Sequence, residues 1–165
     1  MATTDSIYLG NPNLKKANTP MEFTPVQIQE FVKCKGDPVY FCKNYIKIVS
    51  LDEGLTQFHP YHFQEKLINN FHENRFNICK MPRQTGKSTT VVSYLLHYAV
   101  FNDSVNIGIL ANKAATAREL LSRLQTAYEN LPKWMQQGII SWNKGSMELE
   151  NGSKILAAST SASAV

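Results

Sequence analysis

Apolar residues fall into short blocks along this chain, and the spacing inside each block predicts its element. Residues 113–131 place Ala117, Leu120, Leu121, Leu124, Tyr128 and Leu131 at helical spacing, with Arg118, Ser122, Arg123 and Glu129 opposite. That stripe predicts an amphipathic helix. Residues 87–101 are apolar on nearly every side (Val91, Val92, Leu95, Leu96, Tyr98, Ala99, Val100), the pattern of a helix buried between layers. Residues 105–111, 139–142, 146–150 and 153–158 are too short for helices and predict strands, the last two joined by an Asn151-Gly152 hairpin turn. A further strand is expected over 75–81, with Phe76, Ile78 and Met81 directed inward. From Phe76 onward the order is strand, helix, strand, helix, then strands, which describes an α/β domain with a partly parallel sheet.

Upstream, two helix starts share one chemistry. Thr24-Pro25-Val26-Gln27 offers a capping threonine, proline at the first helical position and glutamine at the reciprocal position. Asp37-Pro38 repeats the cap and proline, so two short helices are expected, separated by Lys35-Gly36. Asp52-Glu53-Gly54 marks a turn in a small hairpin over 51–60, and a third helix is expected over 60–73. Residues 1–20 are polar and rich in Asn and Pro, an extended arm with Tyr8 and Leu9 as anchor points. The expected organisation is an arm (1–20), a small helical N-terminal subdomain (21–59) and an α/β domain (60–165).

Composition narrows the class. With 165 residues, 43% of them hydrophobic and 18% charged, the chain can bury a core, which excludes a disordered chain. No run approaches the roughly 18 apolar residues of a membrane span. The start has neither the basic nor the apolar stretch of a secretory signal, so the reading is cytosolic, with no membrane. The net charge of +4 permits an anionic partner without indicating one. Cys34, Cys42 and Cys79 lack metal spacing and read as free thiols. Residues 159–165, small and uncharged, read as a loop cut midway.

The strongest chemical signal is Met81-Pro82-Arg83-Gln84-Thr85-Gly86-Lys87-Ser88-Thr89, between the expected strand and the buried helix. Its Gly-Lys-Ser ending is that of a phosphate-binding P-loop, although Met81 stands where the usual pattern has its first glycine. Gly86 lets backbone approach phosphate, and the amides of Gly86, Lys87, Ser88 and Thr89 lie at a helix N-terminus that favours anions. Lys87 is expected on the β- and γ-phosphates of ATP and Ser88 Oγ on Mg²⁺. Arg83 is equally compatible with a solvent-exposed turn arginine and with a guanidinium beside the γ-phosphate. Phe63-Gln64 could stack on and hydrogen-bond a base, but taken alone Gln64 reads as an ordinary exposed helix glutamine. His97 reads as a core histidine, Trp134 and Trp142 as packing residues. Arg118, Arg123, Lys133 and Lys144 read as solvated positive charges. Asp103 and Glu119 have no paired carboxylate, so no general base is assigned.

Together these residues resemble the ATPase domain of the large terminase subunit of contractile-tailed bacteriophages. The resemblance rests on Phe63-Gln64, on Arg83 to Thr89, and on Gly108-Ile109-Leu110-Ala111-Asn112-Lys113. It continues through Leu131-Pro132, Gly138 to Ser146 and Leu149-Glu150-Asn151-Gly152-Ser153, with Trp142-Asn143-Lys144-Gly145-Ser146 the most family-specific part. It implies a P-loop NTPase fold of the RecA-like (ASCE) type and a motor coupling ATP hydrolysis to movement of double-stranded DNA into the prohead. Expected partners are DNA, the portal protein, the small terminase subunit and further copies in a ring on the portal, in the host cytoplasm. By the resemblance Gln64 reads adenine, Arg83 is a cis arginine finger, Lys87 the phosphate lysine and Ser88 the metal ligand. Some relatives carry a second glutamine where this chain has His59. An Asp-Glu strand and a nuclease domain are expected beyond Val165, so the chain by itself is expected to be inactive in hydrolysis. A helicase with a glutamine ahead of its P-loop and a non-catalytic P-loop assembly module are the alternatives.

Overall fold

A computed structural model describes residues 6–50 and 52–160, and its first helices begin where their caps dictate. In α1 (Pro25–Gly36), Thr24 Oγ1 accepts from the Gln27 N–H at 3.2 Å, while Gln27 Oε1 accepts from the Thr24 N–H at 3.0 Å. This is the full reciprocal box. Lys35 and Gly36 stay helical. Asp37 alone makes the break, ending α1 and capping α2 (Pro38–Tyr45) through a 2.8 Å bond from the Tyr40 N–H.

The first residues are not a simple extended arm. β1 (Ile7–Tyr8) and β2 (Asn11–Lys15) pair antiparallel around a turn in which Leu9 and Gly10 take positive φ. Leu9, expected as an anchor, sits on that turn and is 88% exposed. Leu14 is the buried anchor, Tyr8 packs at the core's margin, and Ala17 donates its N–H to the Ile139 carbonyl. The next hairpin, β3 (Lys47–Ser50) and β4 (Gly54–Gln57), uses the expected turn, but its first strand precedes residue 51. Residue 51 itself lies outside the described residues, as do 161–165 of the expected terminal loop. The helices α3 (His62–Glu73) and α4 (Lys87–Phe101) follow.

One four-stranded sheet carries the rest: β5 (Asn106–Ala111), β6 (Ile139–Trp142), β7 (Ser146–Leu149) and β8 (Lys154–Ser159), in the order β5-β8-β7-β6. β5 and β8 run parallel, in register from Asn106 opposite Lys154 to Ala111 opposite Ser159, and the other pairs are antiparallel. The helix α5 (Ala114–Glu129) connects β5 to β6 and packs Ala117, Leu121, Leu124 and Tyr128 into the core. Ile107, Ile109, Ile139, Met147, Leu149 and Ile155 are the buried apolar residues of the sheet. Burial alternates along β5 and through the first three residues of β8, as a strand with one covered face requires. The mixed α/β class with a partly parallel sheet is therefore observed.

The expected strand over 75–81 does not form. Its backbone pairs with no strand among the described residues, Phe76 is 83% exposed and Ile78 fully exposed, against the inward placement expected of both. The reason lies in the neighbours. A strand needs a ladder partner for its N–H and C=O groups. Between this segment and β5 lies a cleft of about 820 Å³, lined by Arg75, Asn77, Cys79, Val91, Tyr94 and Asn106.

Candidate functional site

The loop ahead of α4 is shaped by two residues of positive φ, Gln84 (63°) and Gly86 (73°). Gly86 is the N-cap of α4 and gives it no side-chain bond, and the first turn holds no acidic residue. α1 and α2, in contrast, have their first amides taken by Thr24 and Asp37. The N-terminus of α4 thus retains orphan N–H donors and the positive end of the helix dipole, and a left-handed residue followed by helical ones turns successive amides to one side. Thr85 Oγ1 donates to the Pro82 carbonyl at 3.1 Å and Thr90 Oγ1 to the Gly86 carbonyl at 3.0 Å, so the loop is braced from both ends.

Lys87 is half-buried and has no ion-pair partner among the described residues. Lys87 also lines the cleft beside α4. Ser88 and Thr89 follow it, half-buried in the first turn, whereas Pro82, Arg83 and Gln84 are exposed. Arg83 therefore stands on the loop with no hydrogen bond or ion pair to the described residues.

The start of α3 abuts the loop. Gln64 is only 4% exposed, accepting the Tyr61 N–H on Oε1 at 2.8 Å and donating from Nε2 to the Thr85 carbonyl at 3.4 Å. Phe63, half-exposed, stacks almost parallel (10°) on the exposed Tyr61 ring at a centroid distance of 5.8 Å. The structure thus brings Gln64 to the loop and pairs Phe63 with Tyr61. Its aromatic ring two residues before Phe63 was the available signal. His59 is exposed. Glu65, in the same first turn, pairs with Lys43 at 2.7 Å and ties α3 to α2.

Other singled-out residues serve the architecture. Asn143 Oδ1 accepts the N–H groups of Gly145 and Ser146, both at 2.9 Å, so the Trp142-to-Ser146 stretch is the tight β6–β7 turn. Trp142 packs on Tyr128 and Trp134 on Tyr45. His97 is buried, with Nε2 2.9 Å from the Cys34 carbonyl, but its Nδ1 has no partner. Arg118 and Lys144 are exposed and Arg123 pairs with Glu119. Lys133 differs from the expected solvated charge: it is half-buried, with no hydrogen-bond partner for Nζ, and burial lowers its pKa while Glu129 opposes the shift.

Among the described residues no three His, Cys, Asp or Glu side chains gather into a metal-holding group. The donor set fits an anion with its own bound cation better than a resident metal, because it consists of amides, an ammonium and hydroxyls. No described helix is long and apolar enough to cross a membrane. Against known families, a model described as terminase large subunit, T4likevirus-type, N-terminal, matches residues 78–164. That span is just over half the chain and includes the loop, α4, α5 and the whole four-stranded sheet.

Proposed function

Because the chain belongs to the family of T4-like terminase large subunits, matched by its N-terminal model, we propose that it is the ATP-gripping part of a viral DNA-packaging motor. The family suggests a role in phage DNA packaging, with DNA and the packaging machinery as partners. The finer reading is a P-loop NTPase fold of the RecA-like type, in a motor that hydrolyses ATP to move double-stranded DNA into the prohead. The portal protein, the small terminase subunit and further copies in a ring are its proposed partners, in the host cytoplasm.

The observation carrying this reading is the N-terminus of α4: uncapped, free of acidic residues in its first turn, and bearing an unpaired Lys87 behind a loop of positive φ. Those features suit a triphosphate, whose oxygens accept from the amides and the ammonium. Lys87 and the amides from Gly86 to Thr89 are proposed to hold the β- and γ-phosphates, with Pro82, Gln84 and Thr85 shaping the loop around them. Ser88 Oγ is proposed to ligate Mg²⁺, which supplies charge neutralisation on the phosphates when bound. Arg83, exposed and free, can approach a γ-phosphate from the same chain and serves there as the proposed arginine finger. Phe63, with Tyr61, offers an exposed aromatic platform to the base, beside Gln64.

The test is equilibrium binding of Mg·ATP to the chain and to its Lys87→Ala variant. Removing the ammonium is expected to weaken binding by about ten- to a hundredfold, the usual loss for a charged hydrogen-bond donor. Unchanged affinity in the variant would sink the assignment. So would ATP turnover surviving Lys87→Ala in a packaging motor that contains this chain.

A further inference from the structure

We propose that Gln64 is a positioning residue that holds the phosphate loop in its binding shape, and that it acts on the triphosphate through Thr85 and Gly86, leaving the choice of base to others. The inference rests on the phosphate-loop reading above. Three observations carry it. The side chain is 4% exposed, so little of its amide faces any ligand. Both ends of that amide are engaged within the chain: Oε1 takes the Tyr61 N–H at the start of α3, and Nε2 reaches the Thr85 carbonyl across twenty-one residues of sequence. Finally, Nε2 lies 2.4 Å from the point where a Cβ on Gly86 would stand, with Cδ at 3.7 Å. Nothing larger than glycine fits there without displacing the glutamine.

The physical consequence is a clamp. Gly86 has φ +73°, a conformation a glycine can leave easily because no Cβ restricts it. Orphan amides bind an anion well only if they already point at it, since ordering them on binding weakens affinity. Gln64 supplies that order from outside the loop. Its two bonds join the rigid first turn of α3 to the carbonyl just before Gly86, and its amide fills the space beside the glycine. The glycine of the phosphate loop is thus required on both sides: by phosphate approach in front and by the glutamine behind.

Base reading and loop holding make opposite demands on one experiment. The chain and its Gln64→Met variant are titrated with Mg·ATP, Mg·GTP and Mg·tripolyphosphate, which has no base. Amide hydrogen exchange of the peptide spanning 82–88 is followed without ligand. Loop holding requires ATP and tripolyphosphate to weaken together, by about tenfold for one lost buried hydrogen bond, with the ATP-to-GTP ratio unchanged and loop exchange faster. Weaker ATP binding with tripolyphosphate unaffected, or unaltered loop exchange, overturns the proposal. If the unaltered chain binds none of the three ligands, the phosphate-loop reading fails, and the exchange rate by itself still decides whether Gln64 holds the loop. Gln64→Glu keeps the acceptor for Tyr61 N–H, so it starts α3 normally, but it replaces the donor to Thr85 with a carboxylate oxygen that repels that carbonyl. Its loop must also exchange faster than that of the unaltered chain, and an unchanged rate counts against the clamp even where Gln64→Met fails to fold.

Discussion

His97 is held neutral by its surroundings. Its Nε2 faces the Cys34 carbonyl, which can only accept, so that nitrogen carries the hydrogen and Nδ1 is left as a bare lone pair in the core. Burial pulls its pKa from 6.5 down to about 4, against the Cys34 bond and aided by the nearby His72. Above pH about 6.5 the ring is neutral whether the chain is folded or not. Below it the unfolded chain takes up a proton that the folded one refuses, so stability falls between pH 6.5 and 4 and this contribution then levels off. The full loss is on the order of 3 kcal/mol. Urea unfolding at pH 7, 5.5 and 4.5 is expected to show a steeper decline for the native chain than for His97→Phe, and parallel declines would contradict it. At this scale, the Gly-Lys-Ser loop was legible in the sequence because its donors are consecutive residues. The Gln64–Thr85 contact was not, because it depends on how α3 lies against the loop.

Elements divide in the same way, by the range of the contacts that make them. Helix caps work across three residues, so Thr24, Gln27 and Asp37 mark the starts of α1 and α2 in the sequence alone. The N-terminal hairpin has no such local sign of its seat. Gln136, 2% exposed, accepts the Lys15 N–H and donates to the carbonyls of Asn13 and Leu131, while the Lys15 ammonium pairs with Glu150 at 2.9 Å. The contacts to Asn13 and Lys15 join residues more than a hundred positions apart. Gly138 closes the strap: a Cβ there would lie 2.5 Å from Ala17 Cα and 2.8 Å from its nitrogen, backbone atoms that cannot swing aside. Gly138→Ala is therefore expected to cost about 1–3 kcal/mol and to lift the strap from β6. Limited trypsin digestion reads this directly, as faster cleavage after Lys15 and Lys16, and an unchanged cleavage rate would show the strap does not depend on that fit.

At the scale of the whole molecule, the helices ahead of the Gly-Lys-Ser loop share a core with the sheet side. Phe31 and Phe41 meet Phe101 at ring distances of 4.8 and 5.3 Å, and Tyr45 packs edge-on against Trp134 at 5.9 Å. Contacts of this kind couple unfolding. Urea transitions followed by tryptophan fluorescence and by far-UV circular dichroism are expected to coincide. An earlier, separate loss of helix would instead mean that residues 21–59 unfold as their own unit. The sequence by itself determined where helices start, which face of α5 turns inward, and where the Gly-Lys-Ser loop lies. Each of these follows from hydrogen bonds and side-chain periodicities a few residues long. Only the tertiary structure decided that 75–81 stays unpaired, that Leu14 and not Leu9 anchors the N-terminal hairpin, and that Gln64 braces the loop. A strand, an anchor or a brace exists only where a distant partner meets it, and nothing in the local pattern of apolar and polar residues records where that partner lies.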